Sequence, residues 1–292
     1  MKSPLVSIII LSALRKACTQ RCLESINKFT LTDHEVIIVD MGIDKNIKKW
    51  LVNENKKHNN LKLILNKKNV GTSKGRNQGI KIARGKYIVF LDNDIILTRH
   101  WLDALIETFK KQTKGALIGS KITCPNKYVY ICDRYVYDRN ENGQRKIGLK
   151  VTRPFRDSNP EINIEREVPW YPTGCLMANR NLINELNGFD EKLFSIEEDK
   201  DLCLRAKKIG KKIIYCPRSY VIHNRIRDDF YEKEIRYKSI HRLKKDISYF
   251  ESKWNCKVEL IYSKKAIKSI GYSEIMINQM TNGRLKDLFG VT

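Results

Sequence analysis

Short apolar runs alternate with amphipathic stretches over the first 111 residues. Runs rich in Ile and Val are typical of buried strands, whereas the stretches between them carry apolar residues at helical spacing. Strands joined through helices by right-handed crossovers form a mostly parallel sheet with helices on both faces, which predicts an α/β fold. The predicted strands are 6–10, 35–40, 61–66 and 86–92, and the predicted helices pass through Cys22 and Leu23 and cover 46–57, 73–83 and 99–111.

Polar residues stand where three of these strands end. Ser12 follows the first strand, Asp40 ends the second, and Asp92 and Asp94 end the fourth. In open sheets of this kind, ligands bind beyond the carboxyl ends of the strands. We therefore expect these four side chains to converge on one edge of the sheet.

The stretch LDNDI places two carboxylates one residue apart, at Asp92 and Asp94, with Asn93 between them. Side chains alternate across a strand, so the two carboxylates point in roughly the same direction and repel each other unless a cation lies between them. Hard divalent ions take oxygen ligands, and Mg²⁺ is commonly held by one or two carboxylates plus substrate phosphates. Because Asp is also a common turn former, the spacing alone leaves a metal site and a turn both open.

The second half of the chain has a looser pattern. Residues from about 133 to 167 are polar, charged and Pro-bearing, which predicts long loops, either solvent-exposed connections or a flexible lid. From 168 to 224 a strand, a short helix, an acidic turn, a helix and another strand are predicted. From Asp228 onward the pattern is helical, basic and amphipathic, which suits packing on a partner, on a membrane or on the protein's own core.

The formal net charge of +23, from 56 Lys and Arg against 33 Asp and Glu, favours encounters with polyanions. Nucleic acid, anionic lipid and phosphorylated small molecules all qualify. The basic residues are spread along the chain, and no helix-turn-helix, finger or RNP-type signature is present, so no specific nucleic acid is expected. A non-catalytic polyanion-binding protein remains the alternative from another functional class.

The cysteines and the apolar runs predict the compartment. The eight cysteines show no C-x-x-C spacing and several lie in apolar runs, which predicts reduced, mostly buried thiols. The N-terminal apolar run is too short to span a bilayer, and no later segment approaches about 20 apolar residues. We expect a cytoplasmic protein, and peripheral contact with the cytoplasmic face of an anionic membrane stays open.

Two sets of motifs follow each other in a specific order. The first is N-x-G, R-N-x-G and G-x-Y-x-x-F-L-D-x-D within 69–94, and the second is G-F-D-E and E-D-x-D-L-C-x-R within 188–205. This order resembles glycosyltransferase family 2, the inverting GT-A glycosyltransferases, over roughly residues 4–225. The resemblance implies a metal-dependent transfer of a sugar from a nucleoside-diphosphate sugar by single displacement at the anomeric carbon.

The resemblance also implies a domain organisation. Residues 1–225 would form the GT-A domain, with a Rossmann-like, nucleotide-sugar-binding half at 1–123 and an acceptor-binding half at 124–225. Residues 226–292 would form a basic helical C-terminal extension. The acceptor stays open between a glycan, a lipid-linked sugar and a peptide, within polysaccharide or lipid-linked oligosaccharide assembly. A nucleotidyltransferase on a similar fold is a further alternative, which release of pyrophosphate would reveal.

Carried over by position, the resemblance makes Asp94 the principal ligand of Mn²⁺ or Mg²⁺. Asp92 would assist the metal or orient the nucleotide ribose, and His223 would be a further metal ligand. A carboxylate-bound cation stabilises the negative charge that develops on the departing diphosphate. By itself, a lone His is more often structural.

The acidic cluster at 197–201 precedes a helix, where acidic residues also act as caps. The resemblance places the family's E-D pair on Glu198 and Asp199, with Asp199 as the general base and Glu198 as its neighbour. Inverting displacement needs such a base, and nearby like charges raise the pKa of a carboxyl toward usefulness. Asp201 is interpreted as a helix cap.

The remaining expected contacts concern the donor. Arg76 matches a basic residue that approaches the nucleotide or its diphosphate, although an exposed helical Arg is the plain alternative. Thr173 and Gly174 would line the sugar pocket, and Trp170 would either stack on a sugar or lie in the core. The set predicted to bind the nucleotide-sugar is Ser12, Asp40, Arg76, Asp92, Asn93, Thr173 and Gly174.

The chain departs from the family pattern where the base of the nucleotide binds. It has Leu11-Ser12-Ala13 in place of a P-T-Y-like turn, and Met41 in place of a second acidic or amide residue after Asp40. Asp40 can still accept a hydrogen bond from the base. These departures leave the expected reaction unchanged but leave the identity of the nucleotide open. UDP-sugars are the default donors that the resemblance implies, with GDP- and dTDP-sugars open.

Overall fold

The computed structural model describes residues 3–13, 15–113, 115–224 and 240–263. The strands are β1 (Val6–Ser12), β2 (His34–Asp40), β3 (Leu61–Leu65), β4 (Tyr87–Asp92), β5 (Ile95–Leu97), β6 (Ala116–Thr123), β7 (Val129–Ile131), β8 (Val136–Glu141), β9 (Gln144–Val151), β10 (Arg166–Glu167), β11 (Cys175–Asn179), β12 (Lys212–His223) and β13 (Lys257–Tyr262). The helices are α1 (Lys16–Phe29), α2 (Lys45–Lys57), α3 (Thr72–Ile82), α4 (Trp101–Lys110), α5 (Arg180–Glu185), α6 (Glu198–Lys208) and α7 (Ile240–Trp254).

The main sheet has the strand order β10-β12-β6-β11-β4-β1-β2-β3, with β5 pairing to β12 and β7 to β6. Strands β3, β2, β1, β4, β6 and β12 run in one direction, and β11 and β10 run against them. Residues of both parities are buried along β1, β2, β4 and β6, so helices and loops cover both faces. The predicted, mostly parallel α/β sheet is confirmed.

Helix α3 lies close against β1 because it carries glycine where the two elements meet. A Cβ atom on Gly79 would lie 2.6 Å from Cγ2 of Ile9, closer than side chains approach each other. The helix therefore sits directly on β1 and β2. This contact fixes the position of Arg76, which lies one turn before Gly79 on the same helix.

The prediction of loops over 133–167 is wrong for its central part. β8 and β9 form an antiparallel hairpin whose turn residues, Asn142 and Gly143, both have positive φ (50° and 78°). An Asn-Gly pair is a strong hairpin signal because it fits a type I′ turn. The strands themselves are polar because only part of their surface is buried, which is why composition indicated a loop.

The C-terminal segment is helical only in part. α7 confirms the predicted helix over Ile240–Trp254, but Lys257–Tyr262 forms β13, which pairs in parallel with β9 and completes a three-stranded sheet. The segment has β-branched and aromatic residues at Val258, Ile261 and Tyr262, which favour a strand. The other parts of the predicted extension, 226–239 and 264–292, lie outside the described residues, and the domain division at 225 stays a prediction.

Two further predictions concern the cysteines and the membrane. All eight cysteines are free and buried, as predicted. Within the described residues, no helix has the length and apolar character needed to cross a membrane.

Candidate active site

The register of the central strands brings predicted site residues to one edge of the sheet. Ser12 pairs with Asp40 across β1 and β2, and Leu11 pairs with Asp92 across β1 and β4. Asp94 follows in the turn between β4 and β5. The expected convergence of Ser12, Asp40, Asp92 and Asp94 is therefore present in the structure.

Arg76 lies between the two acidic clusters. Its Nη1 is 2.5 Å from Oε1 of Glu198, and its Nη2 is 3.6 Å from Oδ1 of Asp92. The guanidinium group is buried and also lies over the ring of Phe189, 5.3 Å from its centre. Arg76 is therefore not an exposed helical residue. Its guanidinium group contacts both Asp92 at the end of β4 and Glu198 at the start of α6.

Glu198 and Asp92 differ in exposure although both contact Arg76. Glu198 is buried, and this burial raises the pKa of its carboxyl while the Arg76 charge opposes the shift. The Asp92 side chain is 45% exposed, so its carboxylate remains accessible to a ligand. Glu198 is therefore a close, buried partner of Arg76, whereas Asp92 contacts Arg76 at a longer distance and keeps part of its side chain exposed.

Asp94 and His223 form a second group next to Asp92. Pairing of β5 with the end of β12 places Nε2 of His223 3.2 Å from Oδ1 of Asp94, while Nη1 of Arg15 lies 3.6 Å from Oδ2. The backbone N–H of Asn224 donates to the Asp94 carbonyl at 2.8 Å. The His223 ring lies 4.4 Å from the ring of Tyr130. The long strand β12 thus brings His223 next to Asp94, and the role of His223 as a metal ligand stays a prediction.

The residues around Asp94 partly fit a divalent cation. Among the described residues, no group of three or more His, Cys, Asp and Glu is arranged to hold a metal ion, so the predicted set of Asp92, Asp94 and His223 is not assembled as a unit. Asp92 is directed at Arg76, whereas Asp94 and His223 offer one oxygen and one nitrogen close together. This pair suits Mn²⁺ better than Mg²⁺, which prefers oxygen ligands only, and a bound diphosphate can supply further oxygens.

Asp40 is a buried carboxylate that lacks a partner. Neither of its oxygens has a hydrogen bond among the described residues, and burial raises the pKa of the group. The nearby backbone N–H of Gly42 lowers the pKa of Asp40 in part, although this N–H is not placed to donate a hydrogen bond to either carboxylate oxygen. An unpaired buried acceptor at the ligand-binding edge of the sheet is costly unless a ligand donates to it.

Thr19 connects two other predicted residues. The hydroxyl groups of Thr19 and Ser12 lie 3.3 Å apart, and the Asn93 side-chain amide donates to Thr19 Oγ1 at 2.9 Å. Ser12 and Thr19 are fully buried. These contacts hold the turn after β4 against helix α1, so Asn93 has a structural contact in addition to its predicted one.

Asp199 is the accessible carboxylate at the start of α6. It is half-buried, and its Oδ1 accepts a hydrogen bond from the backbone N–H of the next residue, Lys200, at 2.7 Å. Partial burial raises the pKa of Asp199, the Glu197 charge adds to the shift, and the Lys200 charge opposes it. Because Glu197 pairs with Lys200 at 2.6 Å and Glu198 with Arg76, Asp199 is the member of the cluster without an ion pair among the described residues.

The interpretation of Asp201 as a helix cap is wrong. Its carboxylate is fully buried and accepts from Trp254 Nε1 at 2.9 Å, Lys253 Nζ at 2.7 Å and Arg205 Nε at 2.8 Å. Two of these donors come from α7, more than 50 residues along the chain. Asp201 therefore fastens α6 to the C-terminal helix, an arrangement for which the local sequence carries no signal.

The residues before β11 lie beside Asp92. The Asp92 backbone N–H donates to the Gly174 carbonyl at 3.0 Å, and a Cβ on Gly174 would lie 3.4 Å from Oδ2 of Asp92. Thr173 is buried. Trp170 is also buried, and its indole N–H donates to the Tyr137 carbonyl at 3.2 Å, which is the core option of the two that the sequence left open.

Comparison with known proteins supports the same interpretation. A family model described as glycosyl transferase family 2 matches residues 7–185. The chain is 34% identical over 210 residues to "Uncharacterized glycosyltransferase EpsJ" of Bacillus subtilis, which covers 72% of this chain and 58% of the relative. It is 29% identical over 133 residues to the N-acetylglucosaminyl-diphospho-decaprenol L-rhamnosyltransferase of Mycobacterium tuberculosis, a match that covers only 42% of each protein.

Solved structures with the same architecture are distant in sequence. The crystal structure of GalNAc-T7 with UDP, GalNAc and Mn²⁺ aligns with a TM-score of 0.62 at 17% identity, over 92% of this chain and 57% of that one. The mannosyltransferase PcManGT of Pyrobaculum calidifontis, in complex with GDP-Man and Mn²⁺, aligns with a TM-score of 0.58 at 13% identity, over 97% and 71%. These likenesses show a GT-A fold.

Proposed function

The chain belongs to glycosyl transferase family 2, and from this membership we propose that it transfers a sugar from a nucleoside-diphosphate sugar to an acceptor with inversion at the anomeric carbon. The observation that carries the proposal is the position of Arg76 between Asp92 and Glu198. This one cation brings the donor edge of the sheet and the candidate base into a single site. The family match ends at residue 185, so the assignment of the base rests on this geometry and on the motif order.

A divalent metal ion would be held by Asp94 and His223, with Mn²⁺ favoured over Mg²⁺. A divalent cation there supplies stabilisation of the charge that develops on the diphosphate. Two structures of similar fold contain Mn²⁺ together with UDP or GDP-Man, which is the same combination of ligands that this pair would need. Asp92 would bind the nucleotide ribose. Its carboxylate is held near Arg76, and because the side chain is 45% exposed, it can still accept a hydrogen bond from a ligand.

The base of the nucleotide would bind at Asp40. Within the described part of the chain this buried carboxylate accepts no hydrogen bond, and the N–H of a uracil, thymine or guanine ring can donate to it. Ser12, Asn93, Thr173 and Gly174 would line the remainder of the donor site. UDP-sugars are the favoured donors because UDP is the default that the family resemblance implies, and the acceptor at Asp40 is equally compatible with GDP- and dTDP-sugars.

Asp199 would act as the general base. The acceptor hydroxyl loses its proton to the Asp199 carboxylate, its oxygen forms a bond to the anomeric carbon, and the bond from that carbon to the diphosphate oxygen breaks. The raised pKa of Asp199 suits a base that works near neutral pH. Glu198 stays bound to Arg76 and holds that guanidinium in place.

For the acceptor we propose an anionic, lipid-linked sugar, with a glycan or a peptide as the other classes. The relative from Mycobacterium tuberculosis is named for a diphospho-decaprenol acceptor, and the net charge of +23 favours an anionic partner or membrane surface. Such an acceptor would place the protein at the cytoplasmic face of a membrane.

The direct test is release of nucleoside diphosphate from UDP-, GDP- and dTDP-sugars, each with Mn²⁺, with Mg²⁺ and with chelator. We expect release from one donor class, dependent on the metal and faster with Mn²⁺. Release of pyrophosphate would instead indicate nucleotidyl transfer. Absence of release, together with absence of donor binding in calorimetry, would contradict the proposal.

A further inference from the structure

We infer that Asp246, on α7, is a positioning residue for Asp199, an inference that rests on the proposed function. Asp246 lies 47 positions after Asp199, and within the described residues its hydrogen bonds go to Phe194, Ser195 and Ile196, none of which is assigned to donor or metal. Its contacts are with the segment Leu193–Glu197, called here the base loop, which leads directly into α6 and Asp199. Asp246 would therefore act on catalysis by fixing that loop.

The Asp246 carboxylate gathers three consecutive backbone amides of the base loop. Its Oδ1 accepts from the N–H of Phe194 at 3.1 Å, and its Oδ2 accepts from the N–H groups of Ser195 at 2.8 Å and Ile196 at 3.2 Å. The side chain is 1% exposed. Charge-assisted hydrogen bonds to a buried carboxylate are among the stronger ones in proteins, so this contact holds the loop backbone firmly.

The opposite side of the base loop is held by α3. Ser73 Oγ donates to the Leu193 carbonyl at 2.5 Å, and the Thr72 backbone N–H donates to the Phe194 carbonyl at 2.6 Å. Helix α3 also carries Arg76, which binds Glu198. The loop is thus fixed between the helix that contacts both acidic pairs and the C-terminal helix.

One face of α7 is devoted to this part of the molecule. Arg242, Asp246, Tyr249 and Lys253 follow each other at intervals of four, three and four residues, which places them on one side of a helix. The Arg242 guanidinium lies 3.7 Å from the ring centre of Phe194. Tyr249 and Lys253 both donate to Asp190, at 2.8 and 2.7 Å. Helix α7 therefore packs with its polar face on the protein's own acidic segment.

The base loop needs such support because of its final residue. Glu197 has φ 66°, the left-handed region that residues other than glycine rarely adopt, and α6 begins at the next residue. Unsupported, the chain would relax toward commoner backbone angles and turn the start of α6. Since a displacement of about 1 Å at a catalytic group can cost about 100-fold in rate, the position of Asp199 depends on this loop.

The test compares Asp246→Asn with Glu251→Gln in the full chain. Glu251 lies on the same helix and accepts from the Val258 N–H at 2.9 Å, so it makes the same kind of contact, but to β13. For Asp246→Asn we expect kcat to fall about 10- to 100-fold while the KM for donor stays within about 2-fold. We also expect the acid limb of its pH profile to shift, because the surroundings of Asp199 change. Glu251→Gln should keep the parent kcat and pH profile.

Each outcome decides between the readings. Equal losses of kcat in Asp246→Asn and Glu251→Gln would show that Asp246 only stabilises α7 in general. If Asp199→Asn is inactive but Asp246→Asn keeps the parent kcat, the inference is overturned and the proposed base stands. Parent-like activity of Asp199→Asn would instead overturn the proposed base. If Asp246→Asn does not fold, hydrogen exchange of the unaltered protein decides: slow exchange of the amides of 194–196 supports the contact, and exchange as fast as in exposed loops contradicts it.

Discussion

The acidic pair Asp92–Asp94 and the acidic pair Glu198–Asp199 are arranged alike around Arg76 but are held in different ways. In each pair one carboxylate contacts Arg76, and the other has a different contact: Asp94 with His223, and Asp199 with the backbone N–H of Lys200. The first pair follows β4, whose neighbours β1 and β11 fix it by main-chain pairing. The second pair begins a helix after a loop that side chains from α3 and α7 hold.

This difference explains why the two pairs have different visibility in the sequence. A strand between two other strands places its end by backbone geometry alone, so an apolar run followed by D-x-D locates Asp92 and Asp94. The loop before the helix start is hydrogen-bonded to Asp246, which lies 47 to 48 residues after the acidic pair and belongs to no local pattern. The residue pattern alone therefore predicts where Asp92 and Asp94 lie, whereas the position of Glu198 and Asp199 in the site is predicted only through the resemblance, and the roles of both pairs come from the resemblance.

The largest expected effect belongs to Asp94→Ala. Loss of the candidate metal ligand should reduce metal-dependent release of nucleoside diphosphate by at least about 1,000-fold, because metal stabilisation of the leaving group amounts to several kcal/mol. Asp103→Ala is the matched control. Asp103 Oδ2 lies 3.5 Å from His100 Nδ1 on the exposed surface, so this substitution removes a carboxylate–imidazole contact away from the site. A normal rate in Asp94→Ala would remove Asp94 from the metal site.

A smaller loss is expected for Asp199→Asn. Removing a general base costs about 100- to 10,000-fold in rate, while the amide keeps the size of the side chain and the fold. Sugar transfer in the presence of acceptor measures it, and Asp44→Asn, at the start of α2, makes the same chemical change at a helix cap away from the site. We expect Asp199→Asn to lose more activity than Glu198→Gln. If Glu198→Gln instead loses more, the base is Glu198.

Arg76→Lys tests the connection between the pairs. Lysine supplies a point charge and cannot contact Glu198 and Asp92 together as the planar guanidinium does, so we expect kcat/KM to fall about 10- to 100-fold. The loss should appear in both kcat and the KM for donor. A loss confined to one of these parameters would show that Arg76 serves only one of the two pairs.

The smallest expected effect is in the pH dependence of the unaltered enzyme. Asp199 must be ionised to accept a proton, and its pKa is raised by partial burial, so kcat should fall as the pH is lowered through a value above the usual Asp pKa of about 3.9. The limb should be absent from the residual activity of Asp199→Asn. A rate that stays level down to pH 4 would contradict a raised pKa at the base.

The sequence predicts most of the central sheet because its strands are buried on both faces. Continuous apolar runs such as VSIII and KYIVFLD have few other uses, and their observed bounds differ from the predicted ones by at most two residues. The hairpin β8–β9 was missed because its strands are polar, although Asn142-Gly143 was a usable signal. Asp201 was misassigned for another reason: its partners Lys253 and Trp254 are brought to it only by tertiary packing.

The separate roles of the two acidic pairs are tested most directly by calorimetric binding of UDP with Mn²⁺ to the unaltered protein, Asp94→Ala and Asp199→Asn. GDP or dTDP replaces UDP if the donor panel selects another nucleotide. We expect Asp94→Ala to lose the metal-dependent part of the binding and Asp199→Asn to bind as the unaltered protein does. Retained metal-dependent binding in Asp94→Ala, or its loss in Asp199→Asn, would contradict the assignment of one acidic pair to the donor and the other to the acceptor.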